Sequence, residues 1–189
     1  MSVLVNKGLN VEIIKVISNI STKLKTRTFL VGGYVRDLLL GRKSKDIDVL
    51  VIGDGISFAS EVKKKLGSKA NLQIFKNFGT AMIAYNDLEI EFVGSRKESY
   101  QKSSRNPVVS IGTFEDDISR RDFTINSIAI SLNEDNKGEI IDLFDGIQDL
   151  KKGIIKTPKD PKITFYDDPL RMMRAVRFCL LYTSPSPRD

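Results

Sequence analysis

Apolar positions along the chain follow helical spacing in some segments and strand-like spacing in others. From Leu9 to Leu24 they recur every three or four residues, which predicts an amphipathic helix over residues 10–25, capped by Asn10. Short apolar runs bounded by turn-forming residues predict strands. These strands are expected over residues 28–31, 47–52, 72–75, 80–85, 88–93 and 139–143. Further helices are expected over residues 34–40, 56–66, 123–132 and 169–180.

The order of these elements indicates the fold class. Helices and strands mix from the start of the chain, which predicts an α/β (α+β) protein with a small mixed sheet. Residues 85–88 supply a hairpin turn between two of the strands. Residues 94–113 are polar and show no clear period, so we expect a long loop there, and such loops are usually functional or mobile.

Composition restricts the chemistry that is available. The 189 residues include no histidine and one cysteine, which excludes Ser-His-Asp triads, His-ligated zinc, intrachain disulfides and CxxC sites. Catalysis must therefore use carboxylates, Lys, Arg, Tyr, hydroxyls and hard cations such as Mg²⁺. No apolar run approaches the roughly 18 residues of a membrane span and no signal sequence is evident, so we expect a cytoplasmic protein that does not enter a membrane.

Positive charge is concentrated near the N-terminus. The chain carries a net charge of +6, and residues 1–45 hold nine basic residues against Glu12 and Asp37. This asymmetry fits a polyanionic partner, either nucleic acid or nucleotide phosphates, although a solvated helix face explains it equally well.

A glycine pair and two aspartates form the strongest motif. Gly32 and Gly33 follow a predicted strand, so the backbone there can approach a phosphate at the start of the next helix, where Arg36 lies one turn in. Asp46 and Asp48 occupy alternate positions of a strand and therefore point to one face, with Cα atoms about 6.6 Å apart. Such a pair is typical of sites that hold two Mg²⁺ ions for nucleotidyl transfer. A simple turn and a solvated aspartate pair are the structural alternatives.

A third carboxylate is available on a later strand. Glu89 and Glu91 alternate with Ile90 and Phe92, so both glutamates face away from the core. Strand parity does not distinguish them, and two solvated glutamates would show the same pattern.

Two arginine-rich segments suit phosphate binding. Arg120 and Arg121 precede a predicted helix, where their guanidinium groups could bind a triphosphate. The alternative is that Asp122 or Thr124 merely caps that helix and the arginines are solvated. Asp168 and Arg171 lie at the start of another predicted helix. The Asp168 carboxylate can accept and the Arg171 guanidinium group can donate hydrogen bonds to the edge of a nucleotide base. The alternative is that Asp168 caps its helix and Arg171 binds phosphate.

Together these motifs resemble the head domain of class II tRNA nucleotidyltransferases, that is, of CCA-adding enzymes and bacterial poly(A) polymerases. The matching elements are GGYVRDLLLG with DID, RRDFTIN, and DDPLRMMRAVRF, in family order between Gly32 and Phe178. The resemblance implies a DNA-polymerase-β-like nucleotidyltransferase fold followed by the start of a helical neck. It implies CCA addition, in which CTP and ATP supply CMP and AMP to the tRNA 3′ end and Mg²⁺ is the cofactor.

The resemblance also implies roles for individual residues. Asp46 and Asp48 would hold the metals. Glu91 would be the third acidic residue of the catalytic site, because it stands five residues before Arg96 as the family glutamate does. Residues 96–113 correspond to the family's flexible loop. The residues implied to bind nucleotide are Gly32, Gly33, Arg36, Arg120, Arg121, Asp122, Asn126, Asp168, Arg171, Arg174 and Arg177.

The domain organisation follows from the same comparison of motifs. Residues 1–145 are expected to form the catalytic head, residues 146–178 the start of the neck with the base-reading element, and residues 179–189 a non-native or truncated tail. The family continues into body and tail helices that grip the tRNA. Two alternatives therefore remain at this point: a poly(A) polymerase, or a nucleotide-binding fragment without catalysis.

Overall fold

The computed structural model describes residues 2–99 and 108–183. Its helices are α1 (Ser2–Leu9), α2 (Glu12–Leu24), α3 (Gly32–Leu39), α4 (Gly55–Leu66), α5 (Phe114–Ser119), α6 (Gly146–Lys152), α7 (Pro161–Asp167) and α8 (Leu170–Thr183). Its strands are β1 (Thr28–Val31), β2 (Asp46–Val51), β3 (Ala70–Phe75), β4 (Thr80–Tyr85), β5 (Leu88–Gly94), β6 (Arg96–Ser99), β7 (Val108–Ile111), β8 (Ile128–Ser131) and β9 (Ile140–Asp142). In the described ranges, no helix is both long enough and apolar enough to cross a membrane.

The strands form a mixed sheet, as the sequence predicts. Seven of them lie in the order β3-β4-β5-β2-β1-β8-β9, while β6 and β7 form a separate two-stranded ribbon. In the large sheet β2 runs parallel to β5, and the other neighbouring strands are antiparallel. The parallel pair is the part of the sheet that carries the candidate site.

The two faces of the sheet are covered differently. Helices α2, α3 and α4 pack on one face, where fully buried Ile13, Val49 and Phe92 belong to the main core. The other face, here called the carboxylate face, bears Asp48 and Glu91. Helix α5 covers its β1 side by packing Phe114 and Ile118 against a smaller cluster of apolar residues. The carboxylates therefore lie where the covered part of this face ends.

A third apolar cluster joins α8 to the sheet domain. Phe123, Ile125, Leu150 and Phe178 are buried together, and the rings of Phe123 and Phe178 meet edge to face with centroids 5.6 Å apart. The middle of α8 is thereby held against the segment that follows α5.

Several expected elements differ in the structure. The helix expected over residues 123–132 is wrong: a short 3₁₀ turn, Thr124–Asn126, leads into strand β8. All four residues of β8 are buried and the strand pairs with both β1 and β9, so the apolar run reflects burial on two faces.

The long loop expected over residues 94–113 is also wrong in part. Arg96 pairs with Ile111 at one end of the β6–β7 ribbon, and residues 100–107 lie outside the described ranges. Asn10 does not cap α2, because the capping position is Val11 and no side chain bonds the helix start. Helices α1, α5, α6 and α7 were not expected from the pattern, and residues 184–189 of the expected tail lie outside the described ranges.

Candidate active site

Four carboxylates line one stretch of the carboxylate face. Asp46 and Asp48 alternate along β2, and the parallel register places Asp46 beside Glu89 and Asp48 beside Glu91. Residues paired across two strands share a face, so the four side chains project together. Asp48 is half-buried, whereas the other three are exposed. The structure therefore brings the predicted pair and both candidate glutamates into one row.

Asp48 lies in the most enclosed position of this row. Burial raises the pKa of Asp48 above its ordinary value, while Arg121, a hydrogen bond from the Gly33 backbone N–H, and Arg36 oppose that rise. Asp46 adds to the rise as a like charge. A cation bound beside Asp48 would favour its ionised form, as Arg121 and Arg36 do.

Gly32 shapes the floor beneath Asp48. Its φ is +70°, and a Cβ at this position would lie 2.4 Å from Oδ2 of Asp48. A side chain at residue 32 is thus excluded by backbone conformation and by the carboxylate itself. Of the expected glycine pair, Gly32 leaves space for the Asp48 carboxylate, and the backbone N–H of Gly33 donates a hydrogen bond to it.

Glu91 is chemically distinct from Glu89. Burial and the neighbouring charge of Asp48 raise the pKa of Glu91, while a hydrogen bond from Thr80 and the charge of Arg96 lower it. Glu89 has Asp46 as its partner in the register, farther from the enclosed end of the row. Register thus separates two residues that strand parity left equivalent.

The carboxylates fit a hard cation that takes its remaining oxygen ligands from substrate and water. Within residues 2–99 and 108–183, no three His, Cys, Asp or Glu side chains are grouped closely enough to hold a metal ion. Mg²⁺ commonly binds through one or two carboxylates and completes its shell with substrate phosphates and water. Asp46 and Asp48 therefore fit Mg²⁺ bound together with a polyphosphate, and do not form an all-protein metal cage.

Arg120 and Arg121 are held by a residue that the sequence analysis missed. Asp117 on α5 is 0% exposed and accepts hydrogen bonds from Nε of Arg120 at 3.0 Å and from Nη2 of Arg121 at 3.1 Å. The signal was the i, i+3, i+4 spacing of Asp117 and the two arginines, which places both arginines about one turn after Asp117, just beyond the end of α5. The buried carboxylate of Asp117 thus orients both guanidinium groups, and Arg121 also interacts with Asp48.

Four other expected nucleotide-binding residues are linked to each other. Nη1 of Arg36 donates to Oδ1 of Asn126 at 2.9 Å, and Nδ2 of Asn126 donates to Oδ1 of Asp122 at 3.0 Å. Nε of Arg174 donates to Oδ2 of Asp122 at 2.7 Å. The guanidinium groups of Arg36 and Arg174 also lie over the ring of Phe178, at 5.2 and 5.3 Å from its centroid. These contacts fasten α3 and α8 to the segment between α5 and β8.

The expected base-reading pair lies at the start of α8. Oδ1 of Asp168 accepts the N–H of Leu170 at 3.1 Å, and Nη2 of Arg171 donates to the backbone carbonyl of Arg120 at 2.9 Å. The capping role considered for Asp168 is thus present, and Arg171 is placed beside the arginine pair. Arg177 is exposed farther along α8.

Comparison with known proteins finds similar sequences and structures. A family model described as the poly(A) polymerase head domain matches residues 28–156. An A-adding tRNA nucleotidyltransferase from Aquifex aeolicus is 40% identical over 152 residues, which is 80% of this chain and 18% of that protein.

Solved structures are similar as well. A CCA-adding enzyme in an apo form matches with a TM-score of 0.79 and 36% identity over 87% of this chain and 38% of that one. A tRNA nucleotidyltransferase complexed with a primer tRNA and an ATP analogue matches with a TM-score of 0.73 and 36% identity over 86% of this chain and 44% of that one. The chain thus spans less than half the length of each of these relatives.

Proposed function

The chain belongs to the poly(A) polymerase head-domain family, and from that membership we propose that it is the catalytic head of an enzyme that adds CMP and AMP to the 3′ end of tRNA. Its fold is the polymerase-β-like nucleotidyltransferase fold, as the resemblance in sequence implied. The observation that carries the proposal is the row of carboxylates. In it Asp48 lies beside Asp46 and Glu91 and interacts with Arg121. The names of its relatives, A-adding and CCA-adding enzymes, support tRNA, ATP and CTP as partners.

In the proposed reaction the 3′-hydroxyl of the RNA attacks the α-phosphate of the nucleotide. A bond forms between the 3′ oxygen and the α-phosphorus, the bond from that phosphorus to the bridging oxygen breaks, and pyrophosphate leaves. Asp46 and Asp48 would hold Mg²⁺, which supplies charge stabilisation at the phosphates. Arg120 and Arg121, oriented by Asp117, would bind the triphosphate oxygens.

Glu91 would accept the proton of the attacking hydroxyl. A carboxylate whose pKa is raised is a better proton acceptor near neutral pH than an unperturbed one, and burial with the charge of Asp48 raises the pKa of Glu91. The Thr80 hydrogen bond holds its side chain on the carboxylate face.

Substitution of the two glutamates tests this role. We expect Glu91→Ala to lower the rate of single-nucleotide addition by about 10²-fold, the typical loss of a general base. Glu89→Ala is the matched control, since it lies two residues away on the same face, and it should change the rate by no more than about twofold. Single-turnover assays of both variants give the comparison, and a larger loss for Glu89→Ala would show that the other glutamate has this role.

Arg171 and Asp168 would select the base. We expect Arg171→Ala to narrow the preference for CTP over UTP by roughly 10-fold or more, because an unmatched buried hydrogen-bonding group costs about 1–3 kcal/mol. The measurement is the ratio of CMP to UMP incorporation in the full-length enzyme. An equal loss with all four nucleotides, and therefore an unchanged ratio, would assign Arg171 to phosphate binding or to holding the Arg120 carbonyl.

The function itself is tested by product length and sequence. The full-length protein is incubated with Mg²⁺, tRNA that lacks its final three nucleotides, and CTP, ATP or both. CCA addition requires CTP before ATP and stops after three nucleotides. An A-adding enzyme extends only tRNA that already ends in CC, a poly(A) polymerase makes long tracts from ATP alone, and no extension of any RNA would refute the proposal.

A further inference from the structure

Within residues 2–99 and 108–183, the carboxylate face is mostly exposed on one side of the proposed active site. On the β1 side of Asp48, Phe114 and Ile118 of α5 cover the sheet. On the other side, β5, β4 and the edge strand β3 carry exposed or partly exposed residues on this face, among them Gln73, Phe75 and Met82. Among the described residues, the carboxylates thus border a mostly exposed surface on β5, β4 and β3, on which Thr80 is buried.

Register determines which residues share that surface. Gln73 pairs with Met82 and Met82 with Glu91, and one step along, Phe75 pairs with Thr80 and Thr80 with Val93. Directly paired residues project from the same face. We call the six positions on β3 and β4 that continue the Asp48–Glu91 face the β3–β4 strip; they are Asn71, Gln73, Phe75, Thr80, Met82 and Ala84.

The composition of the strip is unusual for a solvated surface. Phe75 is 40% exposed, and Phe78 in the turn that follows is 70% exposed. Two residues with side-chain amides lie on the same strand and face as Phe75, Gln73 two residues before it and Asn71 four residues before it. An exposed aromatic ring with neighbouring amides on a sheet is a surface on which unpaired bases stack and form hydrogen bonds.

Positive charge flanks the outer edge of the strip. Lys69 precedes β3 and Lys76 follows it, and both are exposed. A six-residue strand is about 20 Å long at roughly 3.3 Å per residue. Two cations at that separation along an edge strand suit the phosphates of a single strand of nucleic acid that crosses the strip.

We propose that the β3–β4 strip binds the last unpaired nucleotides of the RNA acceptor, with a base stacked on Phe75 and the backbone along Lys69 and Lys76. The inference rests on the proposed function, because the 3′-hydroxyl of the acceptor must then reach Asp48. The helices α2, α3 and α4 cover the opposite face, and α5 covers the β1 side, so the strip is a direct approach for RNA. Arg120 and Arg121 lie on the α5 side. The triphosphate would therefore bind on the α5 side and the RNA acceptor on the strip.

The experiment measures binding of RNA without any reaction. A fluorescein-labelled single-stranded RNA hexamer ending in CC is titrated with the 189-residue chain, without nucleotide or metal, and its anisotropy gives the dissociation constant. We expect Phe75→Ala to weaken binding about 5- to 150-fold, the usual effect of losing one stacking platform. Phe75→Tyr should bind nearly as well as the wild type.

Ile74→Ala is the matched control on the same strand. Ile74 is 43% exposed, similar to Phe75, but alternation along β3 directs it to the opposite face. We expect its affinity for the hexamer to stay within twofold of wild type. Circular dichroism of each variant confirms that the fold is retained.

A second RNA identifies stacking as the cause. A hexamer whose last two bases are replaced by abasic sites should bind the wild type as weakly as Phe75→Ala binds the intact hexamer, and Phe75→Ala should not discriminate between the two RNAs. Equal affinity of the wild type, Phe75→Ala and Ile74→Ala would overturn the proposal, as would absence of RNA binding by the wild type or an equal loss in both variants. If the wild type transfers nucleotides but any of these results is obtained, only the proposal that the strip binds RNA is refuted. If RNA binding depends on Phe75 but no nucleotide is transferred, only the proposed function is refuted.

Discussion

Nucleotide transfer by Asp48→Ala or Asp46→Ala is expected to fall by at least about 10²–10³-fold, with the fold retained. In the proposed site, loss of a carboxylate that would hold Mg²⁺ would remove charge stabilisation at the reacting phosphates. The loss of one oxyanion donor already has an effect of that size. Single-turnover incorporation on tRNA lacking CCA gives the rate. Activity within a few-fold of wild type, in a variant with normal circular dichroism, would exclude these aspartates from metal binding.

The thermal stability of Asp48→Asn shows whether the Asp48 carboxylate matters for catalysis or for the stability of the fold. Burial raises the pKa of Asp48 in the folded protein above its value in the unfolded chain, so ionisation of this carboxyl opposes folding. Its contribution to stability is therefore greatest at low pH and is lost as the pH rises through the raised pKa. Asp48→Asn removes the ionisation while the amide oxygen can still accept the Gly33 N–H. Without divalent ions at pH 7, we expect its thermal midpoint to equal or exceed that of the wild type, and a lower midpoint would indicate that the carboxylate stabilises the fold.

Gly32→Ala is expected to inactivate the enzyme through Asp48. A Cβ at residue 32 would lie 2.4 Å from Oδ2 of Asp48, about 1 Å inside ordinary contact distance, so the carboxylate must move. A displacement of about 1 Å in an active site can lower the rate 10²-fold. The φ of +70° adds a strain of roughly 1–2 kcal/mol for a residue with a side chain.

Gly41→Ala isolates the effect of strain from the effect of the clash. The φ of Gly41 is +72°, nearly the same, but a Cβ there meets nothing within 4 Å. Both variants should lose similar stability in urea denaturation, and only Gly32→Ala should lose transfer by about 10²-fold. A comparable loss of activity in Gly41→Ala would mean that backbone strain, and not displacement of Asp48, is responsible.

The sequence pattern predicted much of the fold, because the periodicity of apolar residues within a segment largely determines whether it forms a helix or a strand. Helices α2 and α4 begin and end within two residues of the expected positions, since their apolar stripes and the glycine after α4 are signals within the segment itself. Strand β8 was misassigned because a continuous apolar run fits a buried helix and a doubly buried strand equally well. Only its pairing with β1 and β9 decides between them.

The candidate site divides in the same way. The shared face of Asp46 and Asp48 follows from the two-residue repeat of a strand, so the sequence predicted it without any knowledge of neighbouring strands. The pairing of Asp48 with Glu91 depends instead on the parallel register of β2 and β5, which sequence parity does not specify. Strand parity alone therefore left both glutamates as candidates.

The partners of the arginines were decided by tertiary structure. Asp117 orients Arg120 and Arg121 from one turn earlier in the chain, so its spacing was visible but its complete burial was not. Arg36 meets Asn126 across 90 residues, and Arg174 meets Asp122 across 52. The sequence by itself thus determined the chemical groups and their order along β2, because backbone periodicity is local. The folded chain decided which groups meet, because contacts between distant segments depend on sheet register and on the packing of α5 and α8.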